Sequence, residues 1–387
     1  MRRKKWTVLM YLNGNNELGR EMESTLDEIT TSDNIEDINI VAQISKAPIE
    51  LVNMIRQDNI EYKDNWKGVR RYTVINNEFN LEQSFDYINM ADYTSLYKFI
   101  KWGMEKYPAE RYMLTISGHG FMVEALTDLG GSQPYTMGIY EMCLAINNVK
   151  RYLNKQIDIL TLDICNMNSV EVLYELGKNK ENTVKNVLTY IHDGPIEGMN
   201  YSNIIKYLDH RDSKEALKDI VQNSLLNLIA LGIDHSKLEK IKRICNSVAY
   251  SRLFENENKA KNVMIYSKYT YDINKIAQKL IIAYNSKNKT ELLLDIMCFD
   301  KSNIRDVKKF SKIYFKLSFT KNNYCSNLML LNKSKVIENT TESKAVQEIL
   351  TRNSIMMFVK SFNCYLCSEQ IIEITDKIYE YRKWSPI

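Results

Sequence analysis

The chain has 387 residues, of which 44% are hydrophobic and 26% charged, proportions that exclude a disordered or collagen-like protein. Lys and Arg number 52 against 48 Asp and Glu, and a net charge of +4 is too balanced to indicate a nucleic-acid-binding protein. No apolar run approaches the roughly 20 residues that a membrane-spanning helix needs. We therefore expect neither nucleic acid nor a membrane among the partners.

The N-terminus begins with a basic stretch, Met1–Lys5, that is followed by the apolar segment Trp6–Leu12. This segment has only the length of a strand, and no small-residue cleavage site follows it, so the sequence predicts no signal peptide. The seven cysteines are odd in number and scattered, which favours free thiols over a disulfide framework. These features predict a cytoplasmic protein, with export by another route left open.

The first 200 residues alternate short apolar runs with amphipathic segments, a pattern typical of a parallel sheet covered by helices. Near-continuous apolar character is expected of strands that are buried on both faces. The predicted strands are Trp6–Leu12, Ile38–Ile44, Tyr112–Ser117, Ile157–Leu162 and Val184–Ile191, with a peripheral hairpin at Trp66–Ile75. The predicted helices between them are Leu18–Ile29, Tyr93–Tyr107, Gly138–Leu153 and Ser169–Asn179.

The pattern changes after Tyr201, where helical spacing dominates. Predicted helices cover Asn203–Leu208, Ser213–Leu231, Lys237–Ala249 and Ile273–Asn285, and short strands are predicted at Tyr314–Phe319, Asn327–Leu331 and Met356–Phe362. No Pro- or Gly-rich linker marks a boundary. We predict a core at residues 1–200 and a mostly helical region at residues 201–387 that packs on it.

Four loops directly follow predicted strands and should meet at one edge, because ligands bind beyond the carboxyl ends of parallel strands. They are Asn13–Asn16, Ser117–Gly120, Asp163–Cys165 and His192–Gly194. His119 lies between two glycines, where a sharp turn can expose the imidazole. Cys165 precedes a predicted helix whose N-terminal amides would favour a thiolate.

Each of these residues also has a simpler interpretation. An isolated Gly-His-Gly is more often a turn, and an isolated intracellular cysteine is more often structural. Together, on successive strand ends, His119 and Cys165 form the pair that thiolate catalysis needs. Cys364 and Cys367 form a lone pair without a nearby His, which does not indicate zinc.

The order of these motifs resembles the caspase-like cysteine peptidases. Features shared with the clostripain family, peptidase family C11, are Trp6-Thr-Val-Leu-Met-Tyr-Leu-Asn-Gly-Asn-Asn-Glu-Leu18, the short His–Cys interval and Leu231-Gly-Ile-Asp-His-Ser-Lys-Leu238. The resemblance runs from about residue 4 to about residue 250. It implies a caspase-like α/β fold: a mostly parallel sheet with helices on both faces (an α/β/α sandwich), followed by a mostly helical C-terminal part.

The resemblance also implies the roles of individual residues. Cys165 would be the nucleophile, His119 the general base and later the acid, and the N–H groups of Gly120 and Cys165 the oxyanion hole. Asp163 and Asp193 would bind Arg or Lys at P1, since a guanidinium in a cleft calls for carboxylates. The simpler readings are a strand-end cap for Asp163 and a tight Asp-Gly turn for Asp193.

The leading hypothesis is therefore a cysteine endopeptidase that cleaves peptide or protein substrates after Arg or Lys, with no cofactor. Calcium dependence occurs in the family, but no loop with EF-hand spacing appears, so no metal site is assigned. The alternative is a catalytically weak or inactive scaffold that binds a partner peptide, and the unusual Phe121-Met-Val-Glu-Ala after His-Gly favours it. A flavodoxin-like phosphate binder would need a Gly-rich phosphate loop, which the sequence lacks.

Overall fold

The computed structural model describes residues 3–30, 32, 36–56, 60–64, 66–75, 77–120, 124–132, 135–165, 167–168, 170–190, 193–208 and 212–239. The strands are β1 Lys4–Leu12, β2 Ile38–Lys46, β3 Gly68–Ile75, β4 Glu78–Phe85, β5 Ala109–Ser117, β6 Glu124–Asp128, β7 Tyr135–Gly138, β8 Ile157–Asp163, β9 Val184–Tyr190 and β10 Leu228–Gly232. The helices are α1 Gly19–Thr30, α2 Ile49–Ile55, α3 Tyr93–Lys106, α4 Ile139–Leu153, α5 Val170–Gly177, α6 Tyr201–Leu208 and α7 Ser213–Asn223.

Eight strands form one mixed sheet in the order β10-β9-β8-β5-β1-β2-β3-β4. Its five central strands, β9, β8, β5, β1 and β2, run parallel, and antiparallel strands extend it at both edges. The five central strands are those that the sequence predicts. β6 and β7 form a separate two-stranded hairpin that follows the loop after β5.

Helices cover both faces of β1, which explains its unbroken apolar sequence. Val8, Met10 and Leu12 lie in a buried cluster with apolar residues of α1, α6 and α7. On the opposite face, the ring of Tyr11 lies 5.7 Å from that of Phe99 in α3. The predicted mostly parallel sheet with helices on both faces is confirmed.

Two predictions about the second half need correction. Residues 228–231 were predicted as the end of a helix, but they form β10, which pairs antiparallel with β9. The sheet therefore continues past residue 200, so a core that ends there is too short. Asp212, whose carboxylate accepts from the backbone N–H groups of Lys214 and Glu215, fixes the start of α7.

The remaining predictions for the C-terminal region fall on residues 240–387, which lie outside the described residues. This applies to most of Lys237–Ala249, to Ile273–Asn285, to the three short strands and to Cys364 and Cys367.

The chain divides into two compact units. Among the described residues, the first unit holds everything up to Asn168 together with residues 179–233, and so contains both sheets. The second contains α5 and the segment that begins at Asp234. Within it, His235 Nδ1 lies 3.0 Å from the carbonyl oxygen of Gly177, and the Tyr174 hydroxyl donates to Glu239.

Candidate active site

The register of two parallel strands places His119 and Cys165 at the same edge of the sheet. Ser117, the last residue of β5, is paired with Asp163, the last residue of β8. His119 and Cys165 each follow their strand end by two residues. Neighbouring strands lie about 4.8 Å apart, so both residues leave the sheet side by side.

Gly118 allows the loop that carries His119 to pack closely against its neighbours. A Cβ at this position would lie 2.8 Å from Leu126 Cδ2 and 3.3 Å from Asn13 Cβ. A side chain at this position would therefore require Leu126 or the loop itself to shift. The glycine before His119 thus serves packing as well as turning.

His119 faces a carboxylate that the sequence analysis did not single out. Its Nε2 atom lies 2.8 Å from Oε1 of Glu17, which is an ion-pair distance, although the two groups do not meet the geometry of a hydrogen bond. Burial alone would raise the pKa of Glu17, but contact with His119 and the charge of Arg56 bring it below its ordinary value. Glu17 is therefore an ionised partner of the imidazole.

Cys165 is half-buried and its sulfur contacts Gly194. The N–H of Gly194 donates to Sγ over 3.4 Å, and Sγ lies 3.9 Å from the Gly194 carbonyl oxygen. Burial raises the pKa of the thiol, the charges of Asp193 and Asp163 raise it further, and the N–H of Gly194 opposes them. The thiol is therefore neutral, and within the described part of the chain no hydrogen bond joins it to His119.

Gly194 itself is fixed by close packing on an aromatic ring. A Cβ there would lie 2.2 Å from a ring carbon of Tyr190, so only glycine fits. The N–H of this same glycine is the group that donates to the sulfur of Cys165.

Asp163 is buried beneath these loops and is hydrogen-bonded by its own chain. Its Oδ1 accepts from the Tyr190 hydroxyl at 2.5 Å. Its Oδ2 accepts from the Tyr201 hydroxyl at 2.8 Å, the Ser117 hydroxyl at 3.1 Å and the Met199 N–H at 3.3 Å. Burial raises the pKa of Asp163 although these four donors act to lower it.

The other predicted site residues are more open. Asp193 is exposed, and its charge reaches Cys165. Gly120 is partly exposed and directly follows His119. The five predicted residues thus lie at or just after the ends of β5, β8 and β9, with Asp163 buried and Asp193 exposed.

Three contributors were missed: Glu17, Gly194 and the pair of tyrosines on Asp163. Glu17 directly follows the Asn13–Asn16 loop, which was predicted to lie at this edge of the sheet. Gly194 was named only as the end of the fourth loop.

The described residues contain no group of three or more His, Cys, Asp or Glu side chains that could hold a metal ion. Within the same residues, no helix has the length and apolar character that crossing a membrane requires.

Comparison with known families gives a match over most of the chain: the model of the clostripain family, Peptidase C11, matches residues 10–369. The chain belongs to the clostripain family. It is a cysteine-type peptidase, as the motifs around His119 and Cys165 predicted. A search of curated proteins finds no match.

Several solved structures are similar to this clostripain-family chain. A secreted C11 cysteine protease from Bacteroides thetaiotaomicron, in complex with an irreversible peptide inhibitor, is 17% identical with a TM-score of 0.48, covering 64% of this chain and 71% of that one. An inactive zymogen C11 protease from Parabacteroides distasonis is 15% identical with a TM-score of 0.46, covering 64% and 67%. A further structure from B. thetaiotaomicron, the secreted protease "iotapain", is 14% identical with a TM-score of 0.46, covering 65% and 71%.

The predicted cytoplasmic location is corrected by this comparison. Two of these similar structures are of secreted proteases, so a cytoplasmic location is no longer proposed.

Proposed function

We propose that this clostripain-family peptidase is an endopeptidase that cleaves after Arg or Lys through a dyad of Cys165 and His119. The observation that carries the proposal is the register of β5 and β8, whose last residues, Ser117 and Asp163, are paired. His119 and Cys165 each follow one of these strand ends by two residues and so leave the sheet next to each other. A nucleophile and its base on adjacent loops can approach when a substrate binds, even where the substrate-free contact is loose.

The neutral thiol of Cys165 implies general-base activation. His119 takes the thiol proton as the sulfur attacks the scissile carbonyl, and the N–H groups of Gly120 and Cys165 stabilise the oxyanion. The C–N bond then breaks, and His119 returns its proton to the leaving amine. Water hydrolyses the resulting thioester by the same route, with His119 again as base, and frees the thiol.

The P1 preference follows from two carboxylates at different depths. Asp193 is exposed beside Gly194 and can pair directly with a guanidinium or ammonium group. Both carboxylate oxygens of Asp163 already accept hydrogen bonds from groups of the same chain, so Asp163 acts on P1 recognition only from beneath the site. In this proposal Asp193 makes the direct contact.

A panel of fluorogenic peptides that differ only at P1 tests this proposal. Arg and Lys substrates should be cleaved, neutral ones poorly, and Cys165→Ala should abolish all turnover. Asp193→Asn should reduce turnover of basic substrates and leave the slow neutral ones unchanged. Equal cleavage of neutral and basic substrates by the parent protein would contradict the P1 assignment.

The surroundings of Cys165 favour the alternative of a weakly active or inactive scaffold, because burial and the charges of Asp193 and Asp163 raise the pKa of the thiol. Complete lack of turnover across the panel, with peptide binding retained, would establish that alternative.

A further inference from the structure

The loop between β1 and α1 is fixed to the segment that follows His119. The side-chain amides of Asn13 and Asn16 both donate to the carbonyl oxygen of Thr127 in β6, at 2.9 and 3.1 Å. Just past β6, the N–H of Leu129 donates to the carbonyl oxygen of Asn15 at 2.7 Å. These three bonds tie the loop that ends before Glu17 to β6, the strand that follows His119 in the sequence.

Two charged groups lie next to Glu17 besides His119. Arg56 Nη1 donates to the backbone carbonyl oxygen of Glu17 at 3.3 Å and pairs with Glu21 Oε1 at 2.7 Å. The positive charge of Arg56 favours an ionised Glu17, and Arg56 is itself paired with Glu21. Glu17 therefore keeps its negative charge over the neutral pH range.

The imidazole of His119 presents its two nitrogens to different surroundings. The side chain as a whole is 45% exposed, yet its Nε2 atom is buried and lies against Glu17 Oε1. Within the described residues, Nε2 has no hydrogen-bond partner of acceptable geometry, and the Glu17 carboxylate lies at ion-pair distance from it. A neutral imidazole carries one proton, and a carboxylate beside one nitrogen favours the proton there. The lone pair is then on Nδ1, on the other side of the ring.

We propose that Glu17 is a positioning residue for the reaction: its carboxylate keeps the proton of neutral His119 on Nε2, so that Nδ1 offers its lone pair to the thiol of Cys165. The inference rests on the proposed dyad and extends it by one residue. Once His119 has taken the thiol proton, the same carboxylate stabilises the imidazolium. Glu17 touches neither substrate nor sulfur in this scheme and acts only through His119.

The first measurement compares kinetics of three variants on one Lys substrate. Glu17→Gln keeps an oxygen that can accept from Nε2–H but lacks the charge, whereas Glu17→Ala lacks both. We expect kcat to fall about 10-fold in the former and about 100-fold in the latter, with KM near the parent value, since ground-state binding is untouched. Glu61→Gln, the same change at an exposed position, is the matched control and should leave kcat unchanged.

The second measurement determines which imidazole nitrogen of His119 carries the proton, and it does not require substrate turnover. The chain has only four histidines, so nitrogen-15 labelling of histidine gives a simple spectrum, and His119→Gln assigns the signal. The parent should show a protonated Nε2 and a bare Nδ1, and Glu17→Ala a mixture of the two tautomers. Glu17→Gln should fall between them.

Two results would overturn the role of Glu17: an unchanged tautomer in Glu17→Ala, or a parental kcat in a variant whose tautomer has changed. A fall in kcat matched by an equal fall in thermal stability, with the tautomer unchanged, would indicate a merely structural residue. Failure of the dyad itself looks different, because Cys165→Ala would then remain active while the nitrogen-15 spectra still report on Glu17.

Discussion

Replacing Asp163 with alanine should destabilise the fold strongly, because the carboxylate is the shared acceptor of a buried network. The change leaves the hydroxyls of Tyr190, Tyr201 and Ser117 and the N–H of Met199 without their acceptor. Each unsatisfied buried donor costs about 1–3 kcal/mol, and partial relaxation brings the expected total to about 3–5 kcal/mol. That is a large part of the 5–15 kcal/mol typical of folded domains.

Urea unfolding followed by circular dichroism measures this loss. With a slope of about 3 kcal/mol per molar, Asp163→Ala should lower the midpoint by about 1 M or more. The matched control is Asp86→Ala at an exposed position, which should stay within about 0.5 kcal/mol of the parent.

The result that would refute this reasoning is an unchanged midpoint together with lost cleavage of basic substrates. Asp163 would then face the substrate and not the two tyrosines. If the midpoint falls as expected, reduced activity of Asp163→Ala says nothing about P1 recognition, and Asp193→Asn is the variant that tests it.

Three further predictions concern the same edge of the sheet. Gly194→Ala should reduce kcat/KM by about 10-fold or more, because the alanine Cβ would collide with Tyr190 and move the N–H of residue 194 away from the sulfur of Cys165. A kcat/KM equal to that of the parent protein would contradict this prediction. Alkylation of Cys165 by iodoacetamide in the substrate-free enzyme should be slow at neutral pH and accelerate as the pH rises, since a raised pKa moves thiolate formation to higher pH. Fast labelling at pH 6 would instead show an ion pair with His119. Self-cleavage between the catalytic residues should be absent from residues 120–149, because they contain no Lys or Arg. Cleavage at Lys150 should require unfolding of the end of α4, in which this residue lies. A mass spectrum that shows a cut inside residues 120–149 would refute this prediction.

The central strands could be predicted from the sequence because they are buried on both faces. β1 reads as one apolar run since α1, α6 and α7 cover one side and α3 the other. β10 has the same apolar character, but only a short segment separates it from α7, and residues 228–231 were predicted as the end of that helix. Only pairing with β9 decides that Leu228–Gly232 is a strand. β4 was missed for the opposite reason, because this edge strand is largely exposed and polar.

In the candidate site, too, some residues could be predicted from local sequence patterns, whereas others depend on tertiary packing. His119 and Cys165 could be predicted because each directly follows a recognisable strand, so local pattern and sheet topology suffice. The contact between Glu17 and His119 joins loops about a hundred residues apart and depends on the bonds from Asn13 and Asn16 to β6. Similarly, Tyr190 and Tyr201 reach Asp163 only because of tertiary packing. No spacing in the sequence encodes such contacts.

The most direct test of the dyad and its P1 preference is labelling by an irreversible peptidyl ketone that carries Lys at P1, followed by mass spectrometry of the modified peptide. The chain has seven cysteines, so the site of modification is itself informative. A catalytic Cys165 predicts one label per chain, on Cys165, lost in His119→Ala and outcompeted by the same peptide with Arg but not by that with Leu. Labels spread over several cysteines, or an unmodified Cys165, would contradict the account.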